Sequence, residues 1–313
     1  MADEGYVQTP RPVTDWIVAK LFVTPPSKED KLLLPGCGTG QFLAAVERYC
    51  SYRGHPCPEI YAVETNPQRA EQFQDRFANS ETPHQPSVPD DCATQLQCTY
   101  PLDWSPAHRD ITVDINLRQA DFLLNPPAEK FEYILANPPF VKYNAIKPEK
   151  REQYKKQFDT ADGKFNLYAP FVEQMCTRLA DNGEMKCILP DGFLFGNNSA
   201  LRQRLRKETI HGVRPLPEAV FPDHQVRTSL VEVSSDPSFS IDGSFALTQW
   251  LYRHDIEAIL SGVGVPEEEL EDHIENYDDR HDSMERCLRV RRRRDKDGGY
   301  NTHVDPRIEH EKP

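Results

Sequence analysis

The chain has 313 residues, 38% of them apolar, and a net charge of −13. That apolar content supports a full core, and the length suits one large domain or a domain with an appendage. No run of about 18 apolar residues occurs, which excludes a transmembrane helix, and the acidic balance argues against nucleic-acid binding except through a local basic patch.

The N-terminus, Met1-Ala-Asp-Glu, lacks the basic and apolar regions of a signal peptide, so the expected location is the cytoplasm. The eight cysteines do not suggest a disulfide scaffold in a chain of this kind. Cys50/Cys57 and Cys92/Cys98 are spaced more widely than the usual zinc ligands, which lie about two to four residues apart. Free thiols and no metal are expected.

Gly5-Tyr-Val-Gln-Thr-Pro10 reads as a loop leading into a helix over Val13–Phe22, with apolar residues at helical spacing. Lys31–Leu34 is a short buried strand. Pro35-Gly-Cys-Gly-Thr-Gly40 follows, then a helical pattern from Gln41 to about Tyr49. Strand, glycine turn and helix open a nucleotide-binding α/β fold, because glycine lets backbone approach a ligand and the helix start offers free N–H groups. The same glycines also suit a plain tight turn. Ile60–Val63 predicts a second strand ending in Glu64, where such folds place the acid that accepts from ribose hydroxyls. Pro67–Phe77 predicts a helix.

Residues 79–110 are rich in Pro, Asp, Ser and Gln and read as an insertion loop. Ile111–Gln119 returns to a strand, with Asp121 and Phe122 just past its end. Asp121 there is either a cap or an acceptor for an adenine amino group.

Tyr133–Ala136 predicts a buried strand that stops at Asn137-Pro138-Pro139-Phe140. Neither proline donates to a ladder, and Pro138 biases Asn137 towards extended backbone. The strand therefore ends by presenting an amide side chain, a carbonyl and an aromatic ring. The Asn137 side-chain oxygen and the Pro138 carbonyl can each accept one N–H of a planar amine, and Phe140 can cover its ring. A simple strand-ending turn is the other reading of these residues.

From Val141 to Lys164 the chain is polar and basic, with Tyr143 and Tyr154 among its lysines. This is either a nucleic-acid contact or a solvated face. Asn166–Ala180 predicts an amphipathic helix, Glu184–Leu189 a strand and Ser199–Glu208 an Arg-rich helix. Pro217–Pro222 is an aromatic-bearing loop. Val226–Val233 and Phe245–Tyr252 predict strands. From about Pro266 the pattern gives way to opposing charge blocks without a core face, read as a mostly disordered tail.

Together these motifs resemble the gamma-class N6-adenine DNA methyltransferases of restriction–modification systems, over about Gly5 to Val233. Lys164-Phe-Asn-Leu-Tyr168, Gly183 and Ile188-Leu-Pro190 add to the likeness. The resemblance implies a Rossmann-like α/β fold with a seven-stranded, mostly parallel, doubly wound sheet. It implies a methyltransferase domain over 1–235, a small C-terminal β extension over 236–265 and the charged tail over 266–313. The implied cofactor is S-adenosylmethionine. Tyr6, Thr9 and Pro10 would close over its methionine part. Pro35, Gly36, Cys37, Gly38 and Gly40 would form its glycine loop, Glu64 would hold the ribose, and Asp121 and Phe122 would hold the adenine. Asn137, Pro138, Pro139 and Phe140 would form the catalytic motif, with Asn137 also facing the cofactor. Phe221 would join Phe140 in stacking on the target base. The implied partner is double-stranded DNA with a flipped adenine, with a separate specificity subunit as a further partner.

Two residue patterns depart from that family. Leu34 stands where an acid is frequent before the glycine loop, and little sequence follows the catalytic region to serve as a target-recognition domain. Two other functions stay open at this point. One is methylation of another amine: RNA adenine, cytosine N4 or protein glutamine. The other is a non-catalytic modification subunit that binds nucleic acid.

Overall fold

A computed structural model of the chain describes residues 5–77, 93–99, 112–194, 199–205, 209–222, 226–235, 251–288, 293–294 and 300–301. Its sheet is built from β1 (Lys31–Pro35), β2 (Glu59–Glu64), β3 (Ala93–Thr99), β4 (Thr112–Gln119), β5 (Phe131–Ala136), β6 (Leu179–Pro190), β7 (Thr209–Pro215) and β8 (Thr228–Ser234). The eight strands lie in the order β3-β4-β2-β1-β5-β6-β8-β7. β4, β2, β1, β5 and β6 run parallel. β8 is antiparallel to both β6 and β7.

The short apolar strands follow from burial on both faces. Leu32, Leu33 and Leu34 of β1 alternate between the two sides of the sheet, and all are at most 1% exposed. Such strands need helices on both faces. α1 (Arg11–Leu21), α2 (Gln41–Arg53) and α3 (Pro67–Phe77) contribute to the cluster on one face. α4 (Pro148–Gln157), α5 (Tyr168–Arg178) and α6 (Ser199–Leu205) contribute to the cluster on the other. The expected doubly wound sheet is therefore present, with eight strands in place of seven.

That strand is β3. The span 79–110 was expected to be an insertion loop, yet Ala93–Thr99 pairs antiparallel with β4 along its length. Its polar sequence hides the strand; the ladder covers what would otherwise be an open edge.

The C-terminal expectations also need correcting. Within the span 236–265, expected to be a β extension, the described residues Arg253–Gly262 form a helix, α7. In place of a tail without a core face, Leu270–Leu288 is a helix, α8. Ile256, Ile259 and Leu260 of α7 and Ile274 and Tyr277 of α8 are buried in the same cluster as α1. Residues 236–250, which hold much of the expected β extension and most of the expected strand Phe245–Tyr252, and most of 289–313 lie outside the described residues. Among the described residues no helix is long and apolar enough to cross a membrane.

Candidate active site

The carboxyl ends of four neighbouring strands bring the predicted residues together. Asp121 follows β4, Glu64 ends β2, Pro35 ends β1 and Asn137 follows β5. β1 lies where the strand order reverses, the usual place for a ligand crevice in such sheets.

The glycine turn folds back onto β2. Gly36 and Cys37 donate their N–H groups to the Val63 carbonyl at 2.7 and 3.0 Å, and Gly40 donates to the Cys37 carbonyl at 3.0 Å. Gly38 and Gly40 have φ of 56° and 83°. A Cβ on Gly38 would lie 2.6 Å from the Tyr6 ring, and one on Gly40 2.2 Å from the Phe77 ring. Both conformation and packing therefore require glycine there.

Glu64 is 3% exposed. Its carboxylate accepts from Gly38 N at 2.9 Å, Asn66 N at 2.8 Å and the Arg69 guanidinium at 2.9 Å. Arg69 also lies over the Tyr6 ring, 4.4 Å from its centroid. With about four acceptor positions on a carboxylate, Glu64 keeps one for a further donor.

Asn137 is positioned by the N-terminal loop. Its Nδ2 donates to the Val7 carbonyl and to the Thr9 hydroxyl, both at 3.1 Å. Both amide protons are thereby used, and Oδ1 is left as the acceptor. Phe140 N donates to the Gly5 carbonyl at 3.4 Å, so the same loop also holds the end of the motif. The Phe140 ring meets Tyr168 edge-on at 6.0 Å. Pro138 is buried and Pro139 is half-buried.

Asp121 is held by α4. Its Oδ2 accepts from Tyr154 at 2.7 Å and from Lys150, and its Oδ1 accepts from Leu123 N at 3.0 Å. One acceptor position on Oδ1 stays open. Burial first, and then the Asp121 carboxylate, hold the Tyr154 phenol well above its usual pKa, so it remains a donor.

Not every expected residue faces this crevice in the expected way. Pro10 begins α1, with its carbonyl accepting from Val13 and Thr14. Phe122 is buried and packs its ring 5.3 Å from Phe171. Phe221 is 6% exposed and sits in the core cluster with Leu216, Val220 and Ile256. It packs there because the loop before β8 is covered by α7 and α8, which the charge-dominated C-terminal sequence concealed. Arg69, Lys150, Tyr154 and the Val7 carbonyl were not anticipated. Only Arg69, five residues after a strand-end acid, carried a local signal.

The sheet order and these strand-end groups define a Rossmann-like fold of the S-adenosylmethionine-dependent methyltransferase kind. Residues 59–220 match the Eco57I restriction-modification methylase family, and the chain belongs to that family. It is 34% identical over 146 residues to the type II methyltransferase M.TthHB8I of Thermus thermophilus, covering 44% of this chain and 32% of that one. It is 27% identical over 259 residues to the methylase subunit of the type I restriction enzyme EcoEI of Escherichia coli, covering 80% of this chain and 45% of that one. The chain thus spans less than half the length of either relative. A solved methyltransferase subunit of the type I restriction-modification system of Streptococcus thermophilus superposes with a TM-score of 0.54 at 20% identity, covering 87% of this chain and 54% of that one. This last likeness bears on the fold alone.

Proposed function

We propose that the chain transfers a methyl group from S-adenosylmethionine to the N6 amino group of adenine in double-stranded DNA. The observation that carries this reading is the Asn137 amide, whose two protons are used within the protein and whose oxygen is left to accept. An exocyclic amine needs two such acceptors in one plane, and the Pro138 carbonyl beside Asn137 supplies the second. Phe140, half-buried and edge-on to Tyr168, offers a ring face to a base swung out of its duplex.

The residues fit the cofactor. Glu64 has an acceptor position for a ribose hydroxyl and Asp121 one for an adenine amino group. The glycine turn excludes side chains from the space beside Tyr6. Pro35, Gly36, Cys37, Gly38 and Gly40 form that wall, with Tyr6 and Thr9 on the loop across from it; Phe122, packed on Phe171, and Pro10, at the start of α1, are left out of this reading. When bound, the cofactor supplies a methyl group on a sulfonium, already a strong electrophile. The protein's task is then alignment and electrostatics. Asn137 and Pro138 orient the amine lone pair, Thr9 and Val7 hold Asn137, and Phe140 fixes the plane of the base. Leu34 is fully buried in the core, so this binding mode relies on Glu64 and Asp121 without an acid before Pro35. We further propose that a separate specificity subunit contributes target recognition, as the naming of the E. coli relative as a subunit suggests.

The test is methyl transfer from labelled S-adenosylmethionine to duplex DNA, RNA and protein, followed by analysis of the modified residue. Label on adenine N6 of DNA is expected, with Asn137→Ala slower by about 100–1,000-fold. Label on cytosine, RNA or glutamine, or an Asn137→Ala chain that works at the wild-type rate, refutes the reading.

A further inference from the structure

The chemistry above leaves the segment between Phe140 and Asn166 unused. Here Lys142, Lys147, Lys150, Arg151, Lys155, Lys156 and Lys164 outnumber the acids, although the whole chain carries −13. α4 sorts these charges onto separate stripes. Lys150, Tyr154 and Gln157 face inward, on Asp121 and on the Leu123 carbonyl at 2.9 Å. Lys147, Arg151 and Lys155 recur every four residues and share another face.

That second face is built around Tyr143, three residues after Phe140. The Arg151 guanidinium lies 4.5 Å from its ring centroid, and the Lys155 ammonium lies 5.1 Å from it. Lys155 also donates to the Tyr143 hydroxyl at 3.1 Å. The ring packs edge-on against Phe165 at 5.6 Å. Arg151 further donates to the carbonyls of Ile146 and Asn144, at 2.7 and 2.9 Å. Lys142 pairs through its backbone with Asn166. The loop leaving the catalytic motif is therefore tied down at both ends, while Lys142, Lys147, Lys155 and Lys156 stay exposed.

We infer that Lys147, Lys155 and Tyr143, with Lys142 beside them, grip the sugar-phosphate backbone flanking the target nucleotide. This rests on the reading of the site as one that methylates DNA. A base reaching Asn137 brings its own phosphates to the residues next along the chain. The stripe from Lys147 to Lys155 is about 12 Å long, the axial rise of roughly three to four phosphates on one strand. Cations around an aromatic ring fit a phosphate chain with an adjacent base or sugar. A compact acidic peptide would not require the ring or the position beside the motif. Tyr143 is thus a binding residue and Arg151 a positioning residue, which holds the loop that carries it.

The experiment measures affinity for a fluorescent duplex over a range of salt, for the wild-type chain and for Lys147→Gln/Lys155→Gln. Each phosphate contact contributes about 0.9 to the slope of log affinity against log salt. The double variant should lower that slope by about two and weaken binding by about 10- to 100-fold at moderate salt, with cofactor affinity unchanged by calorimetry. Both lysines are exposed, so an unchanged melting temperature is expected as well. Duplex binding with an unaltered slope overturns the inference and leaves the methylation reading standing. A normal loss of slope in a chain that modifies no adenine keeps the surface and refutes that reading. A wild-type chain that ignores the duplex at low salt but binds polyglutamate overturns the surface assignment.

Discussion

At the scale of single residues, the site depends on which way one amide faces. Asn137 at the end of β5 was legible in the sequence because the prolines after it stop the ladder. Its partners were not, since Val7 and Thr9 come from a loop more than a hundred residues away in the chain. The resemblance implies only a cofactor role for Thr9, yet its hydroxyl accepts from Asn137 Nδ2 and the residue is 4% exposed. Thr9→Val keeps the shape and removes that acceptor. A lost hydrogen bond of this kind costs about 0.5–1.5 kcal/mol, so single-turnover methyl transfer should fall by roughly 2- to 12-fold with little change in substrate KM. Thr9→Ser should restore the rate. Loss of cofactor binding, without a change in the chemical step, would instead make Thr9 a cofactor residue only. Glu64 and Asp121 were legible as strand-end acids, but the cations beside them were not, because Arg69 and Lys150 reach them through helix packing that no local pattern encodes.

Among the elements, α4 joins two parts of the site. The sequence showed it as a charged stretch without an apolar stripe, and only Tyr154 of its residues is buried. Its attachment is polar: Tyr154 and Lys150 on Asp121, and Gln157 on Leu123. Such a helix is held by few contacts and should open locally before the sheet does. Tyr154→Phe removes one donor to a mostly buried carboxylate, at a cost of about 1–3 kcal/mol. Amide exchange across 148–157 should then speed up by roughly 5- to 150-fold, with β5 unchanged. Equal acceleration in α4 and β5 would show that α4 opens only with the whole domain. The parallel strands were the readiest elements to recognise, because burial on both faces gives them unbroken apolar runs. β3 was not, because its residues are largely polar.

Taken as a whole molecule, the chain is closed by its C-terminal helices, and its stability should change with pH in two separate windows. The charge-rich sequence of α8 hid a buried stripe of Ile274, Tyr277 and Arg280, the last only 8% exposed. Arg280 donates to Asp191 at 2.7 Å, to the Thr228 carbonyl at 2.8 Å and to the Leu216 carbonyl. Breaking a buried pair by removing one partner costs about 3–5 kcal/mol. Arg280→Ala, or deletion of 266–313, should therefore lower the melting temperature clearly; unchanged melting would show that α8 adds nothing to the fold. The first pH window belongs to Glu232. Burial pushes this carboxyl up, but Lys186 and Arg214 outweigh it and hold it below its usual value. Its contribution is present above the ordinary carboxylate range and is lost as pH falls through the depressed value. Glu47 of α2 behaves oppositely. Burial, only partly offset by Arg76 and Arg48, raises its pKa to about 8. Between the ordinary value near 4.5 and about 8, the folded chain keeps a proton there that the unfolded chain has released. Stability should therefore fall across that range and level off above it, by a total on the order of several kcal/mol. Glu47→Gln mimics the protonated form and should remove this slope while leaving the acid-side loss from Glu232. Melting temperatures from pH 4 to 9 for both chains are the test. A Glu47→Gln profile that still falls between pH 5 and 8 would show that another group carries that pH dependence.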